Sequence, residues 1–359
     1  MTTAITKTMK AAVLFELHQP LRIIDLPVRS PGPGQILVKI AATGLCRAQL
    51  LEIRGENSIG PMNPNMLGHE GAGVVMEVGD GVTKVQPGDH VILSWIKGSG
   101  RNVLPEKYDY DSQKINCGFV TTFNEYTLAS ENRVTKIPPE MPFLEASIIG
   151  CAVATGAGAV FNNAKISPGK STAVVGVGGI GINMLHAAAI AGANPLVAID
   201  INEEKLEFTK QFGATHTINS TTQDVEAKFK NIVGEEGLDF AFDTTGRKDM
   251  MELVYRSVKK ATGRAVFCGV PNPPKTKIEI DPFPLYFGRQ VVGTGGGECK
   301  PDEDFEKFCW MFLDGKLKVK EMITHVLPLE KINEGFELMK QGKCCRVVID
   351  FSKKKEKGN

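Results

Sequence analysis

The stretch Thr172-Ala173-Val174-Val175-Gly176-Val177-Gly178-Gly179-Ile180-Gly181 runs on through an alanine-rich segment to Leu196-Val197-Ala198-Ile199-Asp200. Its reading decides the fold. An apolar run over 173–175 predicts a short buried strand. The glycines that follow open an Ala-rich helix, and 196–199 predicts the next strand. Between residues 171 and 199 there is no Asp, Glu, Lys or Arg, which could suggest a membrane span. Gly176, Gly178, Gly179, Gly181, Asn183, His186, Asn194 and Pro195 interrupt it, so a buried strand-turn-helix-strand is expected instead.

The spacing within this unit carries chemistry. Gly176, Gly178, Gly179, Ile180 and Gly181 form a G-x-G-x-x-G string, and Asp200 follows Gly176 by 24 residues at the end of the next strand. Such a string is weak alone, but strand, helix and acid in register make it a dinucleotide-binding signature. The glycines let the backbone approach a pyrophosphate at the helix N-terminus, and Asp200 would accept from the adenosine ribose hydroxyls. A carboxylate there repels a 2′-phosphate, so NAD is expected rather than NADP.

Outward from this core, residues 203–212 read as a helix, and 239–243 and 264–268 as further short strands. Alternating strands and helices predict a parallel, doubly wound sheet. Beyond the glycines of 293–297 come helical patterns over 302–313 and 329–341 and a strand over 346–351. The first 150 residues differ in texture. Runs at 11–15, 35–40 and 73–78 are separated by turns such as Pro31-Gly32-Pro33-Gly34 and Pro87-Gly88-Asp89, which predicts a small barrel or sandwich. The fold class is therefore α/β with a β-rich portion, without repeats or low-complexity tracts.

The chain has 359 residues, enough for about two domains. Its 42 Lys plus Arg balance 41 Asp plus Glu, which excludes a nucleic-acid binder working through bulk charge. Residues 1–10 hold no apolar core of a signal peptide. The eight cysteines are scattered, so reduced thiols in a cytoplasmic protein with no membrane partner are expected. Cys344 and Cys345 are read as structural, because adjacent cysteines bridge poorly. The basic tail at 353–359 is read as a solvated terminus.

The remaining chemistry lies at Cys46, at His69-Glu70 within Gly68-His69-Glu70-Gly71-Ala72-Gly73, and at Cys151. Two thiolates and one imidazole with an open fourth position would make a catalytic zinc site. These residues share no local motif, and any one of them alone is better read as core filling.

The chain resembles the zinc-dependent alcohol dehydrogenases of the medium-chain dehydrogenase/reductase superfamily over essentially its full length. The resemblance rests on the segment at 68–73, Pro87-Gly88-Asp89-His90-Val91, the nucleotide loop, Ile323-Thr324-His325-Val326-Leu327-Pro328 and Glu330-Lys331-Ile332-Asn333-Glu334-Gly335-Phe336. It implies a GroES-like catalytic domain (1–153 and 296–359) interrupted by a Rossmann NAD-binding domain (154–295), with the active site in the cleft between them. Cys46, His69 and Cys151 match the catalytic zinc ligands, and Glu70 matches an acid able to approach the metal. Arg47 and Arg346 match pyrophosphate contacts, Asp200 and Lys205 ribose contacts, and Thr155 a position beside the nicotinamide. Cys268 and Val270 fall at the nicotinamide end of a strand. Ala48 and Trp95 match the substrate pocket. The implied partners are a small alcohol or carbonyl substrate and further copies of the chain, as a homodimer or homotetramer. Hydride would pass between the alcohol carbon and NAD, with zinc as Lewis acid.

The sequence departs from the family at two places. Many relatives bind a structural zinc through four close cysteines; residues 96–116 here contain none, and Cys117 stands alone. One zinc, without a structural site, is expected, and the segment reads as a polar surface loop. Near Cys46, a hydroxyl that relays protons is Ala48, the acid that orients the zinc-bound histidine is Gln49, and a relay histidine is Leu51. Gln49 is expected to accept the histidine's hydrogen bond without supplying charge. The proton would leave through water, Glu70 or a substrate hydroxyl. Two alternatives remain open at this point: a polyol or sugar-derivative dehydrogenase, and a nucleotide-binding relative without dehydrogenase activity.

Overall fold

The computed structural model describes residues 7–56 and 63–353. Contacts divide the chain into two compact units. One comprises Met1–Cys151, Lys300–Leu313 and Val319–Asn359, the other Ala152–Cys299 and Asp314–Lys318.

The second unit holds six parallel strands: Thr172–Val175, Leu196–Asp200, His216–Asn219, Phe240–Asp243, Arg264–Phe267 and Gln290–Gly293. Counted in chain order they lie 3-2-1-4-5-6, a doubly wound sheet. Helices on the sheet bury its strands on both faces, so Thr172–Val175 is buried at every position and shows no alternation. The helix Gly179–Ile190 is likewise buried from Gly181 to Ala188, which explains the uncharged stretch seen in the sequence. The strand order reverses between Thr172–Val175 and Phe240–Asp243, where such sheets bind ligands beyond the strands' carboxyl ends. The glycine loop lies there. Strand Gln290–Gly293, at the sheet's edge, was not legible in the sequence; only two of its residues are even half-buried.

The first unit is built on the ten-residue strand Gln35–Gly44, which pairs antiparallel with Glu70–Val78, Tyr126–Ser130 and Arg346–Asp350. The last pairing carries the C-terminal strand back beside residues 42–44. Ile36, Val38 and Ile40 point into one core with Val75, Val91 and Leu93. Leu45, Leu50, Phe123, Ile332, Phe336 and Val347 fill another. The helical segment Phe143–Ala164 is long and apolar enough to cross a membrane, but its apolar stretch is 89% buried within the protein, as in a core helix.

The segment at 96–116 is more than the expected surface loop. Tyr108–Tyr110 and Gln113–Ile115 form a hairpin whose Tyr108 and Ile115 are buried against Met9, Leu26 and Leu128. The Arg29 guanidinium lies 3.6 Å from the centroid of the Tyr108 ring and donates to the Glu106 and Lys107 carbonyls at 2.6 and 3.3 Å. Cys117 donates to the Glu106 carbonyl at 3.2 Å, and burial pushes its thiol up, keeping it protonated. A stacked guanidinium thus anchors this lobe. The hairpin strands, three residues each, were too short to show periodicity.

Residues 1–6 and 354–359 lie outside the described residues, and with them most of the expectations about the N-terminal segment and the basic tail. Lys353 is exposed and donates to the Val326 carbonyl. None of the eight cysteines is in a disulfide.

Candidate metal centre and nucleotide loop

Four side chains that share no local motif converge in the first unit. Cys46 follows the strand Gln35–Gly44 and caps the helix Arg47–Ile53. His69 immediately precedes the strand Glu70–Val78, whose first residue is Glu70. Cys151 lies in a π-helical turn, Ile149–Val153, the kind of local irregularity that often re-aims a functional side chain. Ser94 fixes that turn by donating to the Gly150 carbonyl. One ligand atom from each of Cys46, His69, Glu70 and Cys151 lies within 4.8 Å of the others.

These residues fit a divalent zinc. The two sulfurs are 4.0 Å apart. Two Zn–S bonds of 2.3 Å at a tetrahedral angle require about 3.8 Å. His69 Nε2 is buried with no hydrogen-bond partner, the condition of a nitrogen facing a metal. The electrostatics agree. The Cys151 hydrogen bond, then His69 and Arg346, hold the Cys46 thiol well below its ordinary range against the effect of burial. Sharing that proton with Cys46 pushes Cys151 up, and burial adds to the rise. Burial pulls His69 down, but the Cys46 thiolate outweighs it and raises the imidazole. A dication is the species that lets both sulfurs be thiolates at once.

Glu70 is fully buried and paired with Arg346, whose side chain is 5% exposed. Burial opposes the Arg346 charge, and Glu70 with the two cysteines restores it, holding the guanidinium above its usual range. Thr43 and Thr122 donate to the Glu70 carbonyl at 2.7 and 3.1 Å. Gly44 leaves room for the pair, since a Cβ there would come within 2.9 Å of both the Arg346 guanidinium and the Glu70 carboxylate. Thr43, Gly44 and Thr122 were not found by sequence reasoning, because only strand pairing brings them to Glu70. The nearer signal for Gly44 was its place two residues before Cys46.

Gln49 bridges Cys46 and His69. Its Oε1 accepts from the Cys46 backbone N–H at 2.9 Å, so its Nε2 faces His69 Nδ1 at 2.5 Å. The amide therefore donates to the histidine rather than accepting from it. Trp95 sits edge-on to His69, ring centroids 6.5 Å apart, with 41% of its surface exposed. Ala48 is half-buried and Arg47 exposed on the same short helix.

The nucleotide loop lies in the second unit. Gly178 has open space around its missing Cβ, whereas a Cβ at Gly181 would meet the Gly176 carbonyl at 1.9 Å. The first position leaves room for a ligand's approach, and the second packs helix against strand. Gly178 caps the helix Gly179–Ile190 without a side-chain hydrogen bond, so Ile180 and its neighbours present backbone N–H groups. Asp200 Oδ2 accepts from Val177 N–H at 2.9 Å, and Oδ1 accepts from Ile201 and Asn202 N–H. Lys205 is the third residue of the next helix, Glu203–Thr209, and its N–H donates to the capping Asn202 side chain. Thr155 is buried, with its hydroxyl lacking a partner. Cys268 and Val270 follow the strand Arg264–Phe267, half-buried and exposed respectively.

Comparisons with known proteins give the family of the chain. Residues 32–139 match the alcohol dehydrogenase GroES-like domain, and residues 179–314 match the zinc-binding dehydrogenase domain. The chain is 35% identical to the class-3 alcohol dehydrogenase of Cereibacter sphaeroides, over 95% of its own length and 99% of that protein. It belongs to the zinc-dependent alcohol dehydrogenase family. The S-(hydroxymethyl)glutathione dehydrogenase of Synechocystis is also 35% identical, over 95% of this chain and 99% of that one. The benzyl alcohol dehydrogenase structure from Acinetobacter calcoaceticus superposes with a TM-score of 0.87 at 28% identity, over 96% and 99% of the two chains. This family member is an alcohol/aldehyde oxidoreductase of the medium-chain superfamily, pairing a GroES-like with a Rossmann-like portion.

Proposed function

We propose that this alcohol dehydrogenase transfers hydride between an alcohol, or its carbonyl, and NAD, with one zinc held by Cys46, His69 and Cys151. In this reading residues 1–153 and 296–359 form the catalytic domain and 154–295 the NAD-binding domain. The observation that carries it is the convergence of two sulfurs, an imidazole nitrogen and a carboxylate oxygen within 4.8 Å of one another. A bound zinc supplies the Lewis acidity that makes an alcohol's proton easy to lose near neutral pH.

The protein's own residues do the rest. The Trp95 ring beside His69 gives the alcohol an apolar surface, and the small Ala48 side chain is assigned to the same pocket. Glu70, locked to Arg346, supplies negative charge and keeps the arginine at the centre. The glycine loop and Gly181 packing position the pyrophosphate. Asp200 and Lys205 hold the adenosine ribose. Thr155, Cys268 and Val270 border the nicotinamide. Asp200 favours NAD over NADP, since a 2′-phosphate would meet its carboxylate.

Metal content of protein purified without added zinc, measured with NADH binding by fluorescence, tests this reading. About one zinc per chain with NADH bound is expected. A second zinc would break the single-site reading, and no zinc with retained NADH binding would leave a nucleotide-binding relative. A panel containing S-(hydroxymethyl)glutathione, benzyl alcohol and a polyol then sorts substrates. We also propose a cytoplasmic homodimer or homotetramer. The exposed Phe283, Tyr286 and Phe287 (64%, 84% and 60%) precede the edge strand Gln290–Gly293, a surface that association would cover. Light scattering giving the mass of one chain would sink that part.

A further inference from the structure

Gln49 is fully buried between two metal-centre residues, and its hydrogen bonds are overdetermined. A backbone N–H can only donate, so the amide atom facing Cys46 N–H must be the oxygen. The other end is then an NH2 group, which also only donates. His69 Nδ1 must therefore offer a lone pair, and a neutral imidazole then carries its proton on Nε2. That nitrogen is buried without a partner, and His69 supplies a ring nitrogen to the cluster of ligand atoms.

Metal ligation needs the opposite tautomer. When Nε2 gives its lone pair to a metal, its proton goes to solvent and Nδ1 takes one up, leaving the imidazole neutral. Nδ1–H then points at the Gln49 NH2 group, donor against donor. Rotating the amide by half a turn restores the bond to His69 but sets the NH2 group against Cys46 N–H. In either rotamer one buried donor among these three groups lacks its acceptor.

Resting on the metal-centre reading above, we propose that Gln49 is a positioning residue that flips its amide when the metal binds, so that this centre holds zinc less tightly than a carboxylate at the same position would allow. A carboxylate accepts from Cys46 N–H and from His69 Nδ1–H together, and removes the conflict. Capping of the helix Arg47–Ile53 and metal occupancy are thus linked through one side chain, because the bond that Gln49 makes to Cys46 N–H is also a helix-capping bond.

The test uses the full chain, stripped by chelator and reloaded with Co2+ or Zn2+. Competition against a chromophoric chelator is expected to show Gln49→Glu binding either metal about 10- to 100-fold more tightly than the unsubstituted protein. Equal or weaker binding overturns the proposal while leaving the metal centre standing. Failure of both proteins to take up metal sinks the metal-centre reading, and this inference with it. A second measurement needs no variant: 15N-imidazole NMR on the unsubstituted protein. The His69 proton is expected on Nε2 in the stripped protein and on Nδ1 in the loaded one, with a change in the Gln49 side-chain amide resonances. A proton on Nδ1 in both states, or an unmoved amide, overturns the proposal.

Discussion

Cys46→Ser is expected to lower kcat/KM by about a thousandfold and to lower zinc content with it. A Lewis acid contributes several kcal/mol to stabilising the developing charge, and each 1.36 kcal/mol is tenfold in rate. A serine hydroxyl stays protonated near neutral pH and is a poor zinc ligand beside a single remaining thiolate. The substitution is otherwise mild. Serine is a favoured helix N-cap, so the start of Arg47–Ile53 survives, and the backbone N–H that Gln49 accepts from is unchanged. The nucleotide loop has its own core around Val175, Val197, Ile199 and Ala241, so NADH affinity should stay within about twofold. Metal analysis, steady-state rates and NADH fluorescence on one preparation check this. Full activity with full metal content would remove Cys46 from the ligand set.

Asp200→Ala is expected to weaken NADH binding by about 10- to 100-fold and to raise the NADPH-to-NADH preference. Hydrogen bonds to a charged group contribute about 1.5–3 kcal/mol, or one to two decades of affinity. Two effects act together. The carboxylate is lost as a ribose acceptor, and Val177 N–H loses the bond that steadies the glycine loop. Removing the charge also removes the repulsion of a 2′-phosphate, so NADPH loses less than NADH. Fluorescence titration with both cofactors measures this. An unchanged NADH affinity would place the ribose elsewhere.

Much of the second unit was legible along the chain because its signals are local. The strand at Thr172–Val175, the glycines and Asp200 lie within thirty residues, and Gly176, Gly178 and Gly181 each have a backbone reason that a pattern records. The longer alternations of the first unit were legible too, since Val38 and Ile40 point inward while Lys39 is exposed. The hairpin at Tyr108–Ile115 and the edge strand Gln290–Gly293 were not. They are short, and what fixes them is a guanidinium from residue 29 in one case and a parallel neighbour in the other.

By itself the sequence determined a doubly wound sheet with a dinucleotide loop, and it named the two cysteines, the histidine and the glutamate of the metal centre through resemblance. Only the tertiary structure decided that these four meet within 4.8 Å, that Arg346 is brought to Glu70 by the return of the last strand, and that Gln49 turns its amide nitrogen toward His69. The physical reason is the same in each case. A hydrogen bond or ligand bond depends on separations of a few ångströms and on which atom is the donor, and residues 20 to 276 positions apart acquire those only when strand register and helix caps are set.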